Sequence, residues 1–391
     1  MSLPHSLLSA AGYTTPALWR VLTKSGYFIG MCGAIGATVT YAATVRPALC
    51  SGAGGAAGNE VLRRRAAVFM AWSGVVLLVA GYFQLAARVA RSGHGMPFAS
   101  ALTPTQIAAF LRAPAQPDAW IAQGTLILVQ NLVLVLASAV LMALFSPRAR
   151  RHADALALVA LPLTLATTLV GAIPAKALTG TDALLDTLLV QVHIVSGTVW
   201  VGGLTLLVTL AAARRAPGEH AGVLWADLWR RFGLVALVCV GAVMVSGLWM
   251  TWKHVGTVPQ LWTTTYGLFL LVKIGLVLGM ITAGGFNQLW LMPRIARARR
   301  ADATSSLLRL TLRHFPRVVW AEVALGGGVL AVIPFLSGSA RTEAAPGSTA
   351  PVATGGILAV GVLLVLTLAA SFYATARASD ALARRDAPAP S

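Results

Sequence analysis

ALLDTLLVQVHIVSGTVWVGGLTLLVTLAAA, residues 183–213, is an almost unbroken apolar run with one carboxylate, Asp186, and one imidazole, His193, inside it. A helix crosses the hydrocarbon core of a bilayer in about 20 residues, so a run of this length predicts a membrane span. Moving outward, the same test finds spans near 25–45, 66–87, 122–145, 154–173, 232–252, 264–290, 318–338 and 353–375. Composition agrees: 57% of the residues are hydrophobic and 11% charged, whereas a soluble domain carries roughly 25% charged residues. Backbone amides find no partners in lipid, so the spans must be helices, which satisfy those groups internally. The sequence therefore predicts an all-α fold, a polytopic bundle of nine transmembrane helices.

The net charge of +18 raises the question of nucleic acid. Its distribution answers otherwise. With the spans placed as above, 21 Lys and Arg residues fall on one side of the membrane and 8 on the other, with Lys273 inside a span. Basic loops stay cytoplasmic during insertion, which puts the N-terminus outside and the C-terminus inside. RRR at 63–65 and RIARARR at 294–300 then reflect topology and contact with anionic lipid. No nucleic-acid partner is expected. Cys32, Cys50 and Cys239 are odd in number and lack CxxC spacing, so no disulfide framework follows. The first span is long for a signal-peptide core and is expected to be retained.

No connection is long enough to fold as a soluble domain, which argues against a hydrolase, a kinase or any enzyme with a water-facing catalytic body. The outer loop 88–121 carries an amphipathic stretch, TPTQIAAFLR, expected to lie on the membrane surface; the inner loop 291–317 is basic. SGSARTEAAPGSTAP, residues 337–351, reads as a flexible outer linker, and ARRDAPAPS as a disordered tail. The chain divides into an N-terminal four-helix region (1–175), a four-helix core (183–338), and a linker, ninth span and tail (339–391).

Ionisable groups inside spans are costly and default to functional candidates. On the opening stretch, Asp182, Asp186, His193, Gly197 and Trp200 share one helical stripe. Two carboxylates stand at the outer mouth, roughly 10 Å above the imidazole. One reading is a cation path, acidic groups gathering an ion that neutral imidazole ligates. The other is an acidic helix start with a hydrogen-bonded histidine. Trp200, Gly202 and Gly203 favour close helix packing. Tyr266, Lys273, Met280 and Asn287 recur every seven residues on the seventh span. Glu322, deep in the eighth, is the natural partner of Lys273, either as a structural ion pair or in proton coupling. Met250 and His254, four apart at the outer end of the sixth span, and His94 with Met96 in the outer loop, supply thioether and imidazole groups that suit copper, particularly Cu(I).

The order of these motifs resembles the CopD copper-resistance family. VHIVSGTVWVGGLTLL (192–207) is similar to its helix with a histidine before a tryptophan and paired glycines. LWRRFGLVALVCVGAVMVSGLWMTW (228–252) is similar to the helix that follows, with an Arg-Phe entry and a Ser-Gly near the outer end. TTTYGLFLLVKIGLVLGMITAGGFNQLWLMPRI (263–295) has the Tyr-Gly, the intramembrane Lys and the Asn before a Pro-ended helix, and LRLTLRHFPRVVWAEVALGGGVLAV (308–332) the Glu helix. The resemblance is strong over 183–338 and fainter over 20–175. It implies a plasma (inner) membrane protein of copper uptake or handling, beside a periplasmic or extracellular copper-binding partner. The positions it marks are His193, Trp200, Gly202, Gly203, Tyr266, Lys273, Asn287 and Glu322. Two departures stand out: VGAIPAKA (170–177) replaces a Gly-His pair at the end of the fourth span, and the ninth helix is added to the usual eight.

Copper, as substrate or ligand, is thus the expected cargo, captured by outer His and Met groups and passed to His193. Two alternatives stay open. A haem-bearing electron carrier needs two imidazoles facing each other at one depth, and an assembly factor would deliver copper without net transport.

Overall fold

A computed structural model describes residues 13–51, 55–93, 96–178, 180–212, 221–291, 294 and 315–385. Among the described residues every regular element is a helix, and nine helices are long and apolar enough to cross a membrane. They are α1 (Leu18–Cys50), α2 (Gly58–Ser92), α3 (Gln123–Ala143), α4 (Ala153–Ala172), α5 (Thr181–Ala212), α6 (Gly222–His254), α7 (Thr265–Phe286), α8 (Val318–Phe335) and α9 (Gly355–Ala374). Several extend well beyond their apolar segments. Arg63, Arg64 and Arg65, expected in a loop, lie within the helix of α2. A hydropathy window sees the part of a helix in hydrocarbon, not the turns that continue into the headgroups.

The quoted stretch is the hub. α5 packs against α1, α6 and α8, while α2 joins α1 to α3, α3 pairs with α4, and α7 pairs with α8. The α1/α5 crossing is the tightest. Two stretches of α1, Cys32–Gly36 and Tyr41–Val45, wind as wider π-helical turns. The first brings its backbone onto α5: a Cβ on Gly202 would overlap the Cys32 carbonyl oxygen, and one on Gly203 would overlap the Thr40 hydroxyl and the Phe232 ring. The paired glycines are therefore packing residues, and Trp200, 4% exposed, belongs to the same core. In the run 326–328, Gly326 faces Val201 of α5 and Gly328 faces Leu276 of α7, so α8 is seated on both neighbours.

α9 is peripheral. It packs chiefly on α6, where Phe372 covers Gly241. The amphipathic stretch of the outer loop forms a helix, Pro104–Leu111, whose Ile107 is buried with Leu85, Val89 and Ile127 at the ends of α2 and α3.

The expected flexible linker before α9 is instead an ordered strap. Ser339 caps a short helix, Ala340–Ala344, by accepting from the Thr342 amide. Glu343 then accepts hydrogen bonds from the backbone amides of Thr265 (2.7 Å) and Tyr266 (3.0 Å) at the start of α7. Arg341 donates to the Trp252 and Val255 carbonyls at the end of α6. An anion on a helix N-terminus and a cation on a C-terminus both complement the helix dipole, so a segment that composition reads as loose is held by unsatisfied helix ends.

Candidate functional site

The stripe on α5 meets α6 running antiparallel, and three contacts follow one register. Lys253 Nζ donates to Asp182 Oδ2 at 2.6 Å, Trp249 Nε1 donates to Asp186 Oδ1 at 3.1 Å, and His193 Nδ1 lies 3.1 Å from Ser246 Oγ. Each step toward the middle of α5 is matched by one toward the middle of α6.

At the mouth, the carboxylates expected to attract a cation already have partners. Asp182 also accepts from the Ala353 amide at 2.9 Å, and Lys253 donates to the Pro351 carbonyl at 2.9 Å, so the strap closes over the pair. Lys253 is only 8% exposed, and its ammonium lies 5.3 Å from the Trp249 ring centroid and 5.4 Å from that of Trp252. The open acidic mouth is thereby corrected to a closed, charge-compensated junction. Lys253 and Trp249 were not singled out from the sequence; their spacing of four on α6, matching that of Asp182 and Asp186 on α5, is the one signal that pointed to them.

Deeper in, Ser246 Oγ donates to the Ala242 carbonyl at 2.5 Å. Its hydrogen is thus committed, and the hydroxyl oxygen accepts from the ring. This holds His193 in the Nδ1–H tautomer and leaves the Nε2 lone pair for another group. The ring also packs on Gly247: a Cβ there would lie 3.5 Å from Cε1. The Ser-Gly pair of α6 thus seats the imidazole, Ser by orienting it and Gly by making room.

The α7 stripe points inward. Tyr266, Met280 and Asn287 are buried, at 7%, 1% and 7% exposure. Lys273 acts electrostatically on His193, and Lys24 of α1 acts on Lys273. The expected Lys273–Glu322 ion pair is absent from the ion pairs among the described residues. Glu322 instead accepts from Asn287 Nδ2 at 2.8 Å. The correction is one of depth: Lys273 precedes Asn287 by fourteen residues, about 21 Å of helical rise, too far for the two side chains to span.

The outer His and Met groups do not converge on His193. His254 stacks on Tyr266 at 6.0 Å between centroids, and its Nδ1 bonds the Met250 carbonyl at 2.8 Å rather than sharing a ligand with the thioether. Met96 packs beside Gly93, and His94 lies outside the described residues. His193 is level with Ser246, and His254 lies eight residues farther along α6, about 12 Å of rise, so the two imidazoles are not at one depth as a haem would need. Among the described residues no three His, Cys, Asp or Glu side chains gather at metal-ligand spacing. Cys32 and Cys239 are buried and unbridged, and Cys50 is exposed.

Residues 226–336 match the family described as Copper resistance protein D. A curated relative, the copper transport protein CutJ of Bacillus subtilis (strain 168), is 32% identical over 166 residues, a stretch covering 41% of this chain and 27% of that protein. The chain thus spans little more than a quarter of the relative's length. No solved structure matches.

Proposed function

With the Copper resistance protein D match over residues 226–336 as premise, we propose that this chain handles copper within the plasma membrane and admits it toward the cytoplasm. The observation that carries the reading is the oriented, half-buried imidazole between α5 and α6. His193 is fixed through Nδ1 by Ser246 and presents Nε2, the arrangement in which a second-shell group sets tautomer and ring orientation for a metal-ligating histidine. A charge on Lys273 opposes any cation beside the ring, a dication more than a monocation. Cu(I), with one charge and a preference for imidazole and thioether, is the species the site favours. Met280, on the Lys273 stripe and buried against α8, is a thioether further along the same interior.

The closed Asp182–Lys253 junction gives this reading a shape: copper reaches His193 past a pair that must part or be skirted. Delivery by an extracellular copper-binding protein at that junction fits the same picture. His193→Ala is expected to lower cellular copper accumulation under limiting copper by at least tenfold, with the protein still present in the membrane. Unchanged uptake together with unchanged copper tolerance removes His193 from the mechanism. Copper flux into proteoliposomes separates transport from delivery without transport, which predicts none.

A further inference from the structure

Glu322 and Asn287 sit where α7 and α8 meet, at the ends joined by the basic 291–317 segment. Glu322 is 3% exposed and Asn287 7%. The contact has two faults if the carboxyl is ionised. Among the described residues its one donor is the neutral Asn287 amide, on Oε1, and no cation pairs with it. Asn287 Oδ1, likewise buried, has no donor at all. A buried charge without a counter-ion and an orphaned buried acceptor are both costly.

Among the described residues the charged groups on the surrounding helices are remote or already engaged; on the helix of α9, which touches the Asn287–Leu291 turn, Arg377 donates to the Tyr373 hydroxyl. On α7, Lys273 is about 21 Å of rise from Asn287. On α1, Lys24 donates to the Ile333 carbonyl at the other end of α8. On α5, Val201 faces Gly326, which places His193 some 18 Å of rise from the level of Glu322 and Asp182 and Asp186 farther still. Arg294, one heptad past Asn287, lies on the Trp290 ring at 3.5 Å and donates to the Trp290 carbonyl.

One proton repairs both faults. On Glu322 Oε2 it removes the charge and becomes the donor that Asn287 Oδ1 lacks, while Asn287 Nδ2 continues to donate to Oε1. The pairing this supposes is a cyclic acid–amide contact in which Asn287 Oδ1 gains its donor. We infer that Glu322 and Asn287 form a proton-binding site, the carboxyl holding its proton at neutral pH and exchanging it with solvent. The ligand is H⁺, and the site offers the copper movement proposed above a coupling ion, although the protonation itself does not depend on that reading.

Infrared difference spectra of the full chain, purified free of copper at neutral pH, test this as wild type minus Glu322→Gln. The expected result is a protonated-carboxyl C=O band that shifts in D₂O and disappears as the wild type is made alkaline. Glutamine places an acceptor and a donor where the acid has them, so this variant should keep the wild-type melting point. Asn287→Leu gives a second test that retains the carboxyl: the band should persist and move toward the position of an acid without hydrogen bonds. Carboxylate bands in place of the C=O band, or a band that no alkaline titration or D₂O moves, overturn the inference. Because copper is absent throughout, failure of copper flux and failure of the proton site are separate outcomes.

Discussion

His193 shows how little of a half-buried polar site resides in the functional residue itself. The imidazole can ligate a soft metal only if its lone pair is on the right nitrogen, and Ser246 decides this because its own hydrogen is spent on the Ala242 carbonyl. Ser246→Ala keeps the volume next to Gly247 but deletes the acceptor. It should weaken Cu(I) binding by roughly 10- to 100-fold, the usual effect of removing a group that orients a ligating histidine. Competition titration against a Cu(I) chelator measures this, and undiminished affinity would show that Ser246 merely fills space. The identity of the stripe on α5 was legible because helical periodicity puts Asp182, Asp186, His193 and Trp200 on one face. What each of them touches was not, since that depends on how α6 is rotated about its axis. Opposite charge alone suggests Glu322 for Lys273; axial distance rules it out, and a neutral amide takes the place.

Hydropathy locates all nine spans because the bilayer imposes a length that few other structures require. It fails at their ends and at their contacts. α1 runs over Leu18–Cys50 where the apolar segment covers 25–45, and its π-helical turns have no signature in composition. Such turns commonly mark functional positions in helices; here the first presses the Cys32 carbonyl against the Gly202 Cα. Gly202→Ala forces the two backbones apart, and the displacement passes to His193 through α5. We expect about 1–3 kcal/mol of lost stability, the usual cost of overpacking, read as a lower unfolding midpoint in detergent. Gly197→Ala, where a Cβ meets nothing within 4 Å, is the matched control and should leave the midpoint unchanged. Equal behaviour of the two variants would mean that the α1/α5 crossing is looser than its geometry implies.

At the scale of the whole chain, the segment before α9 and α9 itself have opposite characters. None of the helix's apolar window is buried within the chain, so lipid is its natural solvent and the bundle gains little from it. The strap is different: it caps α7 through Glu343, closes α6 through Arg341, and covers the Asp182–Lys253 pair with Pro351 and Ala353. Two truncations separate these roles. A chain ending at Thr354 keeps every one of those bonds and should unfold within a few degrees of the full chain. A chain ending at Ser337 strips the helix ends and leaves Lys253 with an unmet donor, each lost partner costing about 1–3 kcal/mol where the group stays buried. Its unfolding midpoint should fall clearly below that of the longer truncation. If the strap also guards the route to His193, the shorter chain should bind Cu(I) faster even as it unfolds sooner, since nothing then holds Asp182 and Lys253 together from above. Stopped-flow binding on the two truncations, measured well below either midpoint, distinguishes a guard from a brace: a brace changes the melting point alone, and a guard changes both.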